Sequence, residues 1–194
     1  MNRKRSLWIT VLVVLLIVVD QVVKVLVKTN MSIGQSIHVF GDWFQILFIE
    51  NNGMAFGLQF GEGFGKLALS VCRLALIVLI IIYMRKLLRR PETPTGVLVG
   101  LAAILCGAIG NEIDSIFYGV IFDYAPLFYG KVVDMLYFPL IDTDFPANFP
   151  IWGGRHIIFF RPIFNIADSC ITCGAIYLLL FQWKFFSKGE KEKE

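Results

Sequence analysis

The side chains able to do chemistry in this 194-residue chain are carboxylates and amides set at the edges of apolar runs. Asp168 stands in Phe164-Asn165-Ile166-Ala167-Asp168-Ser169, two residues into an apolar stretch that begins at Ile166. A carboxylate at that depth is costly unless it is paired, neutralised or facing water, which makes it a functional candidate. Asp134 is embedded in the β-branched and aromatic run Gly130-Lys131-Val132-Val133-Asp134-Met135-Leu136-Tyr137-Phe138-Pro139. Asp20 and Lys24 are spaced i,i+4, share a helix face and can pair. A lysine snorkelling to an interface beside a neutralising carboxylate explains that spacing equally well. Asn111, Glu112 and Asp114 close another apolar run. Asn51 opens Asn51-Asn52-Gly53-Met54-Ala55-Phe56-Gly57, a turn-forming stretch able to aim an amide inward.

Two aspartates held close share a proton, so one acts as base and the other as acid toward a water. Competing chemistries have less to work with. His38 and His156 are the only histidines and are unclustered, so no metal centre is expected. There is no Gly-x-Ser-x-Gly nucleophile motif. Cys170-x-x-Cys173 has a redox spacing. All four cysteines (Cys72, Cys106, Cys170 and Cys173) lie in apolar runs, however, where free cysteine is commonly a packing residue. A four-helix membrane thiol oxidoreductase using Cys170 and Cys173 is the alternative enzyme class; a non-enzymatic membrane scaffold or transporter is a third reading. No cofactor is implied.

The elements that must position these groups are membrane helices. With 57% hydrophobic and 17% charged residues, the chain is more apolar than a soluble domain. Four runs, about 7–27, 64–84, 95–113 and 166–186, are long enough to cross a bilayer, which takes about twenty mostly apolar residues. Eleven of the 18 lysines and arginines flank their ends on one side: Arg3, Lys4 and Arg5; Arg85, Lys86, Arg89 and Arg90; Lys184, Lys188, Lys191 and Lys193. That bias predicts cytoplasmic termini and two outer loops, 28–63 and 114–165. The first run ends in Asp20-Gln21-Val22-Val23-Lys24 rather than a small-residue cleavage site, so it is expected to stay as a helix. Within 28–63, two β-prone runs around Gly41-Asp42 read as a hairpin, and its Trp43 and Phe residues suit a membrane surface. Gly96, Gly100, Ala103, Gly107 and Gly110 form one small-residue face for close helix packing. Arg73 lies about 18 Å from the cytoplasmic end of its run and is expected to pair inside the bundle. Asp20, Lys24, Asn51, Asn111, Asp114, Asp134, Asn165 and Asp168 all fall near outer ends of the runs. The expected organisation is one membrane domain, 1–186, with a charged tail, 187–194. The spread basic residues give no nucleic-acid signal.

In order along the chain, Asp20-x-x-x-Lys24, Asn51-x-Gly53-x-Ala55-Phe56-Gly57, Gly110-Asn111-x-x-Asp114, Gly130-x-Val132-Val133-Asp134 and Phe164-Asn165-x-Ala167-Asp168-Ser169 resemble the lipoprotein signal peptidase (signal peptidase II) family. The resemblance implies an all-α membrane protein of four transmembrane helices with a small periplasmic β-cradle and a flap, acting without cofactor as a monomer. It implies an aspartyl endopeptidase of the bacterial inner membrane, its active site at the periplasmic face among membrane lipids. Its substrates would be diacylglyceryl-prolipoproteins cut before the lipid-modified Cys. It makes Asp134 and Asp168 the catalytic pair. Asn51, Asn111 and Asn165 would line the site, and Asp20, Lys24, Gly53, Asp114 and Ala167 would support it. Two departures stand out. The family usually carries Arg after the aspartate of Gly-Asn-x-x-Asp; this chain has Ser115, and Arg73 is expected to supply the charge. Asp123, in Gly119-Val120-Ile121-Phe122-Asp123-Tyr124, competes loosely with Asp134 for the catalytic place; choosing Asp134 implies an 11-residue insertion.

Overall fold

The structure is a computed structural model and describes residues 3–52, 64–144, 146, 150, 153–159 and 161–191. Gly53, with the rest of its motif through Gly57, lies outside the described residues. The chain folds as two units: Met1–Val23, Asn51–Val132 and Ile166–Glu194 form one, and Lys24–Glu50 and Val133–Asn165 the other.

The first unit is helical. Helix α1 (Arg3–Asn30) starts in it, followed by α2 (Phe64–Leu88) and α3 (Thr95–Ile113). A π-helical turn, Asp114–Tyr118, carries α3 on into the short α4 (Gly119–Ile121). Then come α5 (Ile166–Phe181) and α6 (Trp183–Lys191). Among the described residues three helical stretches, Arg3–Asn30, Phe64–Leu88 and Thr95–Ile121, are long and apolar enough to cross a membrane. Their outward faces carry exposed Leu7, Val11, Leu15, Val18, Val71, Leu79 and Ile82. So large an apolar surface would aggregate in water and is the solvated face of a helix in lipid. Inside, Ile9, Val13, Ile77, Met84, Leu98, Leu101, Leu105 and Leu178 make the core.

The small-residue face of α3 packs on α5. A side chain at Gly100 would collide with Leu178, at Gly107 with the Ala167 carbonyl and Ile171, and at Gly110 with Asp20 and the Ala167 methyl. On α5, Gly174 lies against the Gly100 carbonyl and Ala103. The backbones approach because no Cβ stands between them. Gly96 sits beneath Tyr177 and Gln182, and the Gln182 amide donates to the Tyr177 hydroxyl at 3.1 Å.

Two sequence expectations are corrected. The fourth apolar run is not one helix over 166–186: α5 ends at Phe181 and α6 restarts at Trp183. The 16 residues of α5 rise about 24 Å, short of a hydrocarbon core of about 30 Å. The third helix does not stop at Ile113, because the π turn extends it and places Asp114 and Ser115 on the helix rather than in a loop.

The second unit is β-rich. Strands β1 (Ser36–Phe40), β2 (Phe44–Asn51), β3 (Val132–Tyr137) and β6 (Ile163–Phe164) form a four-stranded sheet in the order β1-β2-β3-β6. The expected hairpin is present as antiparallel β1 and β2, with Ile37 opposite Ile46 and Gly41 in the left-handed region at φ 51°. Strands β4 (Ile141–Asp144) and β5 (His156–Phe159) pair antiparallel as a separate ribbon. An all-α description therefore understates the β content. Rings of Phe40, Trp43, Phe44, Phe138 and Phe164 stack across the larger sheet, Phe44 and Phe138 with centroids 4.6 Å apart.

Candidate active site

In the helical unit the polar groups converge on the first turn of α5. The leading N–H groups of a helix lack partners within it. Here the Ala167 N–H donates to Asp20 Oδ1 of α1 at 2.9 Å, so a carboxylate from another helix caps α5 at its positive end. One residue on, Asp168 Oδ1 accepts from the Asn111 side-chain amide of α3 at 2.7 Å. The glycine seam makes this short bond attainable, because it sets α5 directly on the α3 backbone.

Gln21, which sequence reasoning passed over, ties the remaining acids together. Its Nε2 donates to Asp114 Oδ1 at 2.9 Å, to the Gly110 carbonyl at 3.1 Å and to Asp20 Oδ2 at 3.2 Å. Its Oε1 accepts from the Tyr118 hydroxyl at 3.2 Å. Tyr118, Asp20 and Asp114 are all buried. One neutral amide thus bridges two buried carboxylates without adding charge. The only sequence signal for it was its place beside Asp20.

The π turn has a partner of its own. Gly130 N–H donates to the Ser115 carbonyl at 2.9 Å, and a side chain at Gly130 would run into the Asp114 carbonyl. That close approach explains glycine at the head of the Gly-x-Val-Val-Asp motif. Arg73 reaches Glu112 Oε2 at 3.2 Å and Ser115 Oγ at 3.3 Å, so the mid-helix arginine pairs as expected, with a buried acid and with the serine that follows Asp114. Asp123 stands in an exposed turn at φ 55°.

In the β unit, Asp134 lies on β3 and is 3% exposed. Its Oδ1 accepts from the Asn165 amide at 2.8 Å, and the same Nδ2 lies 3.3 Å from the Val133 carbonyl. Asn165 follows β6, whose Phe164 pairs with Leu136 of β3, so the register sets the amide beside the acid. Lys24 is 0% exposed. It is enclosed by protein, not snorkelling to an interface as the simpler sequence reading had it. Lys28 and Glu50 form an ion pair in this unit. Asn51 ends β2 and is half-buried. Each unit therefore presents one aspartate held by one asparagine, Asn111 with Asp168 and Asn165 with Asp134.

Fold and site define a helical membrane protein with buried acids oriented by amides. Residues 12–184 match the family model described as signal peptidase (SPase) II. A lipoprotein signal peptidase of Porphyromonas gingivalis is 49% identical over 187 residues, covering 89% of this chain and 81% of that protein. One of Amoebophilus asiaticus is 39% identical over 174 residues, covering 86% and 73%. A solved structure of a bacterial membrane enzyme superposes with a TM-score of 0.62 at 26% identity, covering 93% of this chain and 90% of that one. The chain belongs to the signal peptidase II family, membrane peptidases that process prolipoproteins. The thiol oxidoreductase reading is set aside on that ground.

Proposed function

We propose that the chain is an aspartyl endopeptidase that cuts diacylglyceryl-modified prolipoproteins on the amino side of the lipid-bearing Cys, with Asp134 and Asp168 as the acid/base pair. The observation that carries this is the matched support of the two acids. Each accepts a short hydrogen bond from an asparagine, and Asn165, which holds Asp134, is three residues ahead of Asp168 in the chain. An amide donor fixes the orientation of a carboxylate and cannot itself take the proton.

In the proposed reaction one aspartate is ionised and the other protonated. The ionised one takes a proton from a water, whose oxygen attacks the scissile carbonyl carbon. The protonated one gives its proton to the carbonyl oxygen, yielding a tetrahedral diol. The first aspartate then gives that proton to the amide nitrogen while the second takes one from a diol hydroxyl, so the C–N bond breaks and the starting protonation of the pair is restored. The signal peptide leaves with a carboxyl group, and the mature protein begins at the amine of its lipidated Cys. The basic residues at the ends of the apolar runs support four spans, the fourth made by α5 together with the start of α6, with cytoplasmic termini and a site at the outer face of the inner membrane.

The test is cleavage of a diacylglyceryl-prolipoprotein by purified variants. Asp134→Asn and Asp168→Asn should each lose about 10²- to 10⁴-fold in rate, the usual contribution of a positioned acid or base. Asp123→Asn should cleave like the wild type. A dead Asp123 variant beside a live Asp134 variant would reverse the assignment.

A further inference from the structure

An arginine in the middle of a membrane helix is expensive, and it persists where something on the protein interior uses it. Arg73 of α2 is such a residue, and the polar atoms it touches lead, bond by bond, to Asp168. Its Nη1 donates to Glu112 Oε2 and to Ser115 Oγ, both on the stretch where α3 passes into the π turn. Ser115 Oγ donates to the Asn111 carbonyl at 3.0 Å, and the Asn111 side chain donates to Asp168 Oδ1 at 2.7 Å.

The direction of the bonds matters. A hydroxyl has one proton to give, and a guanidinium can only donate. With Arg73 donating to Oγ, the Ser115 proton is left to point at the Asn111 carbonyl. That carbonyl also accepts from the Asp114 N–H. It sits where the regular i→i+4 ladder gives way to the π turn, a place where helix geometry is less constrained and which recurs at functional sites. Holding the carbonyl there holds the residue whose amide orients Asp168. Glu112, buried beside Arg73, balances the charge, so the arginine keeps its donors without leaving a net charge in the bundle.

We propose that Arg73 is a positioning residue for the reaction, acting through Ser115 and Asn111 to fix the orientation of the Asp168 carboxyl. The proposal rests on the reading of Asp168 as catalytic. The rival role is a plain α2–α3 ion pair that contributes to stability only. Ser115→Ala separates the two, since it cuts the relay and leaves the Arg73–Glu112 pair in place.

The experiment is a double-mutant cycle on Arg73→Gln and Ser115→Ala, with Ser115→Thr as the conservative variant and Asp168→Asn alongside. It reads kcat, KM and melting temperature on a diacylglyceryl-prolipoprotein. Each single variant should lower kcat about 3- to 10-fold, the scale of one lost hydrogen bond, with KM within about twofold. Ser115→Thr should restore most of kcat. The double variant should be no slower than the slower single, because both break one relay. A double variant whose loss is the product of the singles would overturn the relay, as would a Ser115→Ala enzyme with wild-type kcat. If Arg73→Gln does not fold, the contrast between Ser115→Ala and Ser115→Thr still decides. A fully active Asp168→Asn enzyme would overturn the assignment of Asp168 and the proposal with it. A dead Asp168→Asn enzyme with multiplicative singles overturns the relay alone.

Discussion

Replacing Asn165 by alanine is the most direct probe of how Asp134 is held. The amide is fully buried and donates to Asp134 Oδ1 at 2.8 Å, and Asp134 itself is 3% exposed. Water has little access to replace the lost donor. A hydrogen bond to a charged group contributes about 1.5–3 kcal/mol. If that support is needed chiefly in the transition state, each 1.36 kcal/mol is tenfold in rate, and kcat should fall about 10- to 150-fold. KM should change little if the amide acts on the enzyme's own acid and not on the peptide. The assay is single-turnover cleavage of a diacylglyceryl-prolipoprotein by the purified variant in lipid, with a melting curve on the same sample. Asn165→Gln, which keeps the amide one methylene further out, should fall between wild type and alanine. An Asn165→Ala enzyme that melts like wild type and cleaves within twofold of its rate would refute the reasoning.

Other outcomes follow from the same geometry. Gly107→Val should force α3 off the Ala167 carbonyl and Ile171, costing about 1–3 kcal/mol of packing and loosening the Asn111–Asp168 bond. A lower melting temperature and slower cleavage would register it. Cleavage should be bell-shaped in pH, failing on the acid side as the base is protonated and on the alkaline side as the acid loses its proton. EDTA should leave the rate unchanged when added to the same assay. Cys170→Ala with Cys173→Ala should cleave at close to the wild-type rate, and a strong loss would reopen a role for the thiols.

Much of the arrangement was legible because its signals are local. The glycine face of α3 shows as spacing, and its packing on α5 follows from the absent Cβ atoms. The hairpin shows as two β-prone runs around Gly41. Asp134 and Asp168 stood out because a carboxylate in an apolar run is expensive, a cost that can be read from one segment. What escaped depends on partners far apart in sequence. Gln21 is a neutral amide on a helix, with nothing in its type to mark it as the bridge between Asp20 and Asp114. The π turn after Ile113 has no residue signature, so the helix end was placed at the first cluster of polar residues. The break at Gln182 was hidden by aromatic residues on both sides, Phe181 and Trp183, that keep the run apolar. Lys24 could be read as interfacial only because its stem is long; its enclosure depends on the three-dimensional fold.

The return of the chain at Gly130 has a consequence for how such an enzyme can diversify. The segment after Ser115 leaves by way of Phe128–Ile116 and Tyr124–Gly119 backbone bonds and comes home to the Ser115 carbonyl, closing on its own starting point. Its two feet are fixed, so its middle is free to lengthen or shrink without changing where the following strand departs. The distance in sequence between the motifs on either side can therefore drift while the geometry at the loop's base does not.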